Sequence, residues 1–586
     1  MSIRKYIAAA MISAAAIAQT GCADDFLEQE NSYQLNQKTY FDSDEAVNSA
    51  VLPLYNFVWY NFNDKFYYGM GDGRANNITA QYSNYIYPYT NFTETSLSAG
   101  LNDAWSSFYS VVAQADNTIT NIRDNSGAGV SETAKTQCIA EARFMRGLAY
   151  WYIGSLWGVG VVYESTDALV NNYVVKPQPL TDVMEFAIRD MEFAAANLPE
   201  SAATLGRVNK YSAYGMLSRF YLSMAGLVAG NEAYNQTNAV SESDFNRGTR
   251  NTYYLDLAKK AALKVINESQ YSLVASYADL FSASGFNNNS ESLFQLQWTP
   301  GTAVNGNAQS MTRFLAWSAM VADQNAWGGA TYCSYDLWSE FKEYEDKTLG
   351  VTVDDAIRRH NCVASYGESY PELSTDATDP YIYGETESAG NQGANIKKYV
   401  IGTKKVNGFS EPNNAGVNTY MMRLAEVYLN YTEAALANDD KTTDVEYFNL
   451  VRSRAKMATK SSVTYEDIRH ERRVEFAFEG LYWYDLVRRS YYQEQEVINY
   501  CNSQHRNATY FSSSTNTYEL SDSWTYPGPS VSIATAINMT LPMDDTDQTK
   551  NPELKPTSAD VNHRRQYNTE PLTFGEREVT VDQLFN

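Results

Sequence analysis

The stretch IRHERRVEFAFEGLYWYDLVRRS, Ile468 to Ser490, decides how the rest of the chain is read. Val474, Ala477, Phe478 and Leu481 are spaced three or four apart, so they form one apolar stripe on a helix. Arg472 and Glu475 are three apart, as are Asp485 and Arg488, so each pair can meet on the helix surface. Charge this dense beside an apolar face has two readings. The carboxylates are catalytic, or they belong to an ion-pair network that ties the helix to its neighbours. The second is preferred, because paired charges inside a helical pack mainly set geometry.

Outward from this stretch the same period recurs. Asp42–Ser43–Asp44–Glu45 is a helix start before Ala46, Ala50 and Leu54. Helices are expected over Trp105–Ile122, Ile139–Leu156, Thr181–Leu198 (capped by the threonine and stopped by Pro199), Lys210–Leu227, Leu255–Ile266, Tyr420–Leu436 and Val445–Ala455. Helices arriving in pairs suggest stacked helix–turn–helix units, although no 34-residue signature aligns. The fold class expected is mainly α, a tetratricopeptide-like scaffold of helix pairs with a loop-rich insert containing short strands. Residues 285–335 and 365–418, and the earlier 69–92, are rich in Gly, Asn, Ser and Thr, and read as loops and short strands carrying function.

Composition limits the function classes. The chain has 586 residues with 44% hydrophobic and 19% charged, enough to bury a large core. Its net charge of −24 argues against nucleic acid and against an anionic membrane surface. Only four histidines and five cysteines are present, with no HExxH, HxH or CxxC, which disfavours zinc and Cys/His nucleophiles. No GxSxG, P-loop or GxGxxG before a helix is found, so no cofactor is expected. Tyr (46) and Asn (49) are both abundant. Flat apolar faces with polar tips, beside donor–acceptor amides, suit sugars; the alternative is a tyrosine-rich core.

The first residues set the compartment. Arg4 and Lys5 precede an apolar stretch, Tyr6 to Ala18, of signal length and too short to span a bilayer. Thr20–Gly21–Cys22 then reads as a lipoprotein cleavage site with Cys22 acylated, although Gln19 stands where Leu is commoner; an ordinary secretory signal is the alternative. Residues 1–21 are thus a signal peptide and 22–40 a tether. Removing the signal leaves −26 and sets Cys22 apart from four other cysteines, whose spacing prescribes no disulfide framework.

Several segments together resemble the SusD/RagB family, the surface glycan-binding lipoproteins of Bacteroidetes. Ile468–Ser490 is similar to the family's ERR-x-EFAFEG core followed by DL-x-R, with Tyr482 where a basic residue is frequent. RLAEVYLNYTEAAL at Arg423–Leu436, NLVRSRA at Asn449–Ala455, AEARFMRGLAYWYIGSLWGVGVVY at Ala140–Tyr163, GCADDFLEQE at the mature start and LPMDDTDQTKNPELKP at Leu541–Pro556 follow in family order. The resemblance implies a scaffold of about four tetratricopeptide units and a loop-rich insert holding the ligand site. It implies an outer-membrane lipoprotein facing outward, with Asp24–Asp25 as its surface-export signal. It also implies a SusC-like TonB-dependent transporter as partner, over which the chain sits as a lid. Residues 41–285 then form the N-terminal helical region and 286–556 the C-terminal region with the insert. Residues 557–586 extend past the usual end without an assigned role.

The expected ligand is an oligosaccharide or polysaccharide, held by stacking and hydrogen bonds. Two places concentrate the chemistry. The first is Asp72 to Tyr89, with Asp72, Arg74 and Tyr82. Tyr85, Tyr87 and Tyr89 alternate, so an extended chain puts them on one face, which either binds or is buried. The second is the insert with Trp298, Trp317, Trp327, Tyr332 and Tyr335, where Trp327–Gly328–Gly329 puts a Trp on a flexible turn; Trp338 reads as core. Asp544, Asp545 and Asp547 lack the rest of an EF-hand loop and read as a solvated acidic turn rather than a metal site. A lipid-anchored glycoside hydrolase and a peptide-binding or structural tetratricopeptide-type surface protein are the rival readings.

Overall fold

The computed structural model describes residues 40–586 except 81–82, 171, 203, 231–244, 246, 283–284, 301–307, 317–319, 321–330, 374–379, 385–392, 401, 403–415, 507–508, 513 and 521–532. Cys22, Asp24, Asp25 and the expected signal peptide lie outside the described residues, as do Tyr82, Trp317 and Trp327.

Helices dominate. After α1 (Asp44–Ala50), α2 (Tyr60–Lys65) and the single turn α3 (Tyr87–Thr90) comes the main array: α4 (Leu101–Asn125), α5 (Glu132–Trp157), α6 (Leu180–Asn197), α7 (Lys210–Leu227) and α8 (Thr252–Glu268). The short helices α9 (Met311–Leu315), α10 (Tyr335–Lys342) and α11 (Ala356–Cys362) belong to the insert. Then come α12 (Leu424–Leu436), α13 (Glu446–Arg454), α14 (Tyr465–Glu475), α15 (Tyr482–Ser490), α16 (Glu494–Ser503), α17 (Asp545–Lys550) and α18 (Val581–Phe585). Each helix from α4 to α8 packs on the next, and α8 packs on α12, so residues 269–423 are an insertion into one helical stack. Leu255, Ala258, Ala262 and Val265 of α8 are buried at the expected spacing.

Local caps explain the boundaries. Ser43 accepts the Ala46 amide at the start of α1, as its position before two acidic residues predicts. Asn209 and Ser212 form a capping box on α7. At α6 the expectation is corrected: the N-cap is Pro179, and Thr181 lies inside the first turn. Tyr420–Leu436 is also corrected. Its first residues belong to strand β6 (Thr419–Arg423), which pairs antiparallel with β2 (Ser292–Leu296), and only Leu424 begins the helix.

Much of the tyrosine surplus is core. Trp151 stacks on Phe220 at 5.7 Å and meets Tyr484 at 5.2 Å, while Phe108 stacks on Tyr152 at 5.3 Å. This aromatic seam joins α4, α5, α7 and α15 and excludes water with few side-chain rotamers to freeze. A second apolar cluster, including Leu429, Phe448, Val451 and Ile468, seals α12, α13 and α14 together.

The signature stretch is two helices, not one. α14 ends at Glu475, Phe478 and Gly480 both take positive φ (65° each), and α15 starts at Tyr482. Ala477 and Phe478 thus lie in the turn, where they are still buried. The Asp485–Arg488 pair forms, at 3.2 Å. The Arg472–Glu475 pair is replaced: Arg472 forks onto Asp485 at 2.7 and 2.8 Å and reaches Asn430. Glu475 instead receives Arg423, Arg358 and Arg454. The three cations come from separate elements, Arg358 from α11, Arg423 from the end of β6 and Arg454 from α13.

Candidate functional site

The signature holds a loop, and the loop positions the site. Residues Gly69–Gly73 form one π turn. Its Asp72 carboxylate accepts the amides of Phe478 (2.9 Å) and Gly480 (2.6 Å) and the Asn77 side chain (2.8 Å). Arg473 of α14 donates to Asn77 Oδ1 at 2.9 Å and to the Asn76 carbonyl at 3.0 Å. A side chain at Gly71 would strike the backbone of Gly480, its Cβ falling 2.2 Å from the carbonyl carbon, so close approach fixes glycine here. Out of this braced loop runs strand β1 (Ile78–Ala80).

Strand β1 joins the two aromatic regions that the sequence keeps some 250 residues apart. It pairs antiparallel with β3 (Thr331–Cys333), with Ile78 opposite Cys333, Thr79 opposite Tyr332 and Ala80 opposite Thr331. The sheet continues through β5 (Asn395–Ile396) to β4 (Val363–Ala364). Ser334 adds backbone and hydroxyl bonds to the carbonyls of Asn77 and Asn76.

Individual residues divide into support and surface. Asp72 and Arg74 have no exposed surface, which removes both from direct contact with a sugar. Burial lifts the Asp72 carboxyl to about 6 against the pull of its three hydrogen bonds. Arg74 pairs with Glu94 at 2.8 Å, donates to the Asn538 carbonyl and lies over the rings of Trp483 (4.8 Å) and Phe92 (5.2 Å). Tyr89 is buried too, its hydroxyl donating to the Ala99 carbonyl at 2.6 Å. Trp298 (5% exposed) donates its indole N–H to Thr419 at 3.0 Å, and Tyr332 (3% exposed) sits within β3, so neither presents an open ring face. The expected alternation is corrected as well. Residues 84–86 turn and Tyr87 opens α3, so Tyr85, Tyr87 and Tyr89 do not share a strand face. Tyr85, Tyr87 and Tyr335 are half-buried, whereas Trp338 is core, packed on Tyr518 at 5.1 Å.

Around Tyr85 lies a half-exposed cluster that the sequence reading missed. Lys65 Nζ sits 4.6 Å from the centre of the Phe314 ring and 5.4 Å from that of Tyr85. Tyr68 lies against Phe314 at 6.3 Å, and Tyr60 meets Trp298 edge-on at 6.3 Å. Beneath them Asp64, fully buried and pushed up by that burial, accepts the Ser310 amide at 3.2 Å and the Ser310 hydroxyl. It thereby fixes α9, which carries Phe314. Burial raises the Tyr60 phenol, and Asp64 adds to the rise. Tyr60, Lys65 and Phe314 carry no motif; their aromatic-rich surroundings were the one available signal.

The buried carboxylates around the signature are paired. Glu475 is bonded by Arg423 (2.6 Å), Arg358 (3.1 Å) and Arg454, Glu479 by Arg423 (2.8 Å) and Lys398 (2.9 Å), and Glu426 by Arg219 (2.6 Å). All these side chains are almost wholly buried, so the carboxylates of the signature are scaffold partners. Among the described residues no group of three or more His, Cys, Asp or Glu could hold a metal. The acidic turn is corrected: Asp544 caps α17 through the Thr546 amide, and Asp547 is buried against Asn102, its carboxyl raised to about 6 by that burial. A cleft of about 1140 Å³ opens between α14, α15 and residues 436–441. Its Tyr465 ring is covered by Arg489 at 3.9 Å and its Tyr492 ring by Arg250 at 5.1 Å, which leaves those faces filled.

Comparison with known proteins agrees with this architecture. A SusD family model matches residues 290–558, and a model described as starch-binding associating with outer membrane matches residues 25–222. A SusD-like protein of Bacteroides ovatus is 35% identical over 503 residues, 85% of each chain. A crystal structure determined with a xylogluco-oligosaccharide is 31% identical, with a TM-score of 0.75, and covers 91% of this chain and 100% of that one. A surface glycan-binding protein A from Bacteroides fluxus shares the fold, with a TM-score of 0.64 at 16% identity over 90% of this chain and 99% of that chain. This chain belongs to the SusD family.

Proposed function

We propose that this protein is a surface lipoprotein, anchored through Cys22 in the outer membrane, that captures an oligosaccharide and passes it to a SusC-like TonB-dependent transporter without breaking a bond. The observation that carries the reading is the β1–β3 ladder. It pairs Ile78–Ala80 of the earlier aromatic region with Thr331–Cys333 of the insert. The stacking surface proposed is Tyr60, Tyr85, Tyr87 and Phe314 with Tyr82, Trp317 and Trp327, with Lys65 donating to hydroxyls at its edge. Asp72, Arg74, Tyr89, Trp298 and Tyr332 hold this surface rather than form it. The similar structure carrying a xylogluco-oligosaccharide makes a neutral glucan-type oligosaccharide the first probe.

Calorimetry of the chain from Ala23 with xyloglucan oligosaccharides, preceded by a broad glycan array, tests this. Tyr85→Ala and Trp327→Ala are each expected to weaken a bound glycan at least tenfold, about 1.4 kcal/mol. Wild-type affinity in both variants would sink the assignment of the platform. Reducing ends accumulating with time would overturn the non-catalytic reading.

A further inference from the structure

The sequence assigns residues 557–586 no role, and the structure gives them a defined path. Between Tyr567 and Arg577 the chain has no helix or strand. It nonetheless meets the helical array at every few residues. The Glu570 amide donates to the Pro177 carbonyl (3.0 Å) and the Leu572 amide to Asp182 (2.7 Å). Arg189 of α6 donates to the Gly575 carbonyl at 2.8 Å and lies 4.7 Å over the Phe574 ring. The short helix α18 then packs on α6 and α8, with Leu584 buried. Tyr214 of α7 donates its hydroxyl to the Leu584 carbonyl at 2.7 Å and faces Phe585 at 5.9 Å.

The anchor is Arg577. Glu185 and Glu192 are seven residues apart on α6, hence two turns along one face, and both are buried. One guanidinium spans them, bonding Glu185 at 2.5 Å and also Glu192. Glu192 is steadied from the other side by the Tyr221 hydroxyl at 2.7 Å. Burial drives the Glu192 carboxyl up to about 7, and the Arg577 guanidinium pulls the other way. The segment's backbone is thus bonded by Asp182, Arg189 and Tyr214, its Arg577 enters a two-carboxylate socket, its Glu578 meets Arg143 at 2.6 Å, and Phe574, Leu584 and Phe585 flank these contacts.

We propose that the surface over α6, α7 and α8 is a peptide-recognition groove whose occupant is this chain's own segment Glu570–Asn586, with Arg577 as its anchor. The groove fits an extended segment with an aromatic residue three positions before a fork-shaped cation and an apolar pair seven and eight after it. An external peptide meets it already filled, because a tethered segment competes at an effective concentration of about millimolar. The surface over α6, α7 and α8 is thereby occupied in cis by residues that take no part in the aromatic cluster.

The test uses the intact chain. In Arg577→Ala, amide hydrogen exchange across 570–586 is expected to accelerate at least tenfold while the helices α4 and α5 keep wild-type protection. A fluorescent peptide of sequence Glu570–Asn586 should then bind the variant at least tenfold more tightly than wild type. The same peptide carrying Arg577→Ala should not bind, and one carrying Arg577→Lys should bind in between, since lysine supplies charge without the fork. Unchanged tail protection in the variant, or peptide binding that is absent or indifferent to residue 577, overturns the proposal. Should Arg577→Ala fail to fold, Tyr214→Phe removes one hydroxyl and asks the same question of residues 581–586: faster exchange there supports the groove, unchanged exchange overturns it.

Discussion

Asp72 shows how a residue that looks like a sugar ligand is spent on structure. Its two oxygens take the amides of Phe478 and Gly480 in the turn between α14 and α15, where both residues have left-handed φ. Asp72→Ala would leave both buried N–H groups without that acceptor, an expected loss of about 3 kcal/mol in urea unfolding. A loss below about 1 kcal/mol would show that water replaces the carboxylate. Gly71→Ala puts a methyl group into the Gly480 backbone and should be worse than Asp72→Ala, with little soluble protein. The Asp72 pKa of about 6 adds a pH signature. The folded value lies above the ordinary 3.8, so its contribution is present below pH 3.8 and lost as pH rises through 6.

At the scale of elements, the signature is a junction of charges. Burial pushes Glu475 up, yet Arg454, Arg423 and Arg358 outweigh it and hold the carboxyl at about 2. A depressed folded pKa means stability that is present above the ordinary 4.5 and lost as pH falls toward 2. Thermal melts should therefore drop steeply between pH 4.5 and 2, opposite in sign to the Asp72 effect in part of that range. Arg423 bonds Glu291, Glu475 and Glu479 together, so Arg423→Ala strands buried carboxylates and should reduce stability by about 3–5 kcal/mol. A loss near zero in equilibrium unfolding would mean the neighbouring arginines suffice. The helix–strand boundary at Arg423 follows from the same junction. Periodicity alone extends α12 back to Tyr420, but the Leu424 amide binds the Glu291 carbonyl and β6 pairs with β2, a long-range choice.

Across the described residues, the four cysteines are buried and none is joined to another, with burial raising the Cys138 thiol to about 11 and Cys333 well above its ordinary value. The melting temperature should be the same with and without reductant, and native thiols should react slowly with iodoacetamide. A shift of several degrees on reduction would point to a disulfide that this fold does not contain among the described residues. The glycan surface is also expected to be separable from the scaffold: Tyr85→Ala should lose binding while its melting curve stays within about 2 °C of wild type. That separation reflects exposure, since Tyr85 is half-buried while Asp72 and Arg74 have no surface to lose.

The sequence by itself determined the helical array, the family and the interior role of the signature's charges. Local period and capping carry helices such as Lys210–Leu227, and a dense run of Arg and Glu beside an apolar stripe has to be paired once buried. Tertiary structure alone decided which tyrosines face outward, because an aromatic ring suits a core and a sugar equally well until its neighbours are known. It also decided that Glu475 meets Arg423 rather than Arg472, that Asp72 braces a turn, and that β1 lies beside β3. Those are pairings across some 50 to 400 residues, and no local pattern encodes which distant partner arrives. The path of residues 570–586 over α6 belongs to the same kind: Arg577 is one arginine among many until two buried carboxylates of another helix stand opposite it.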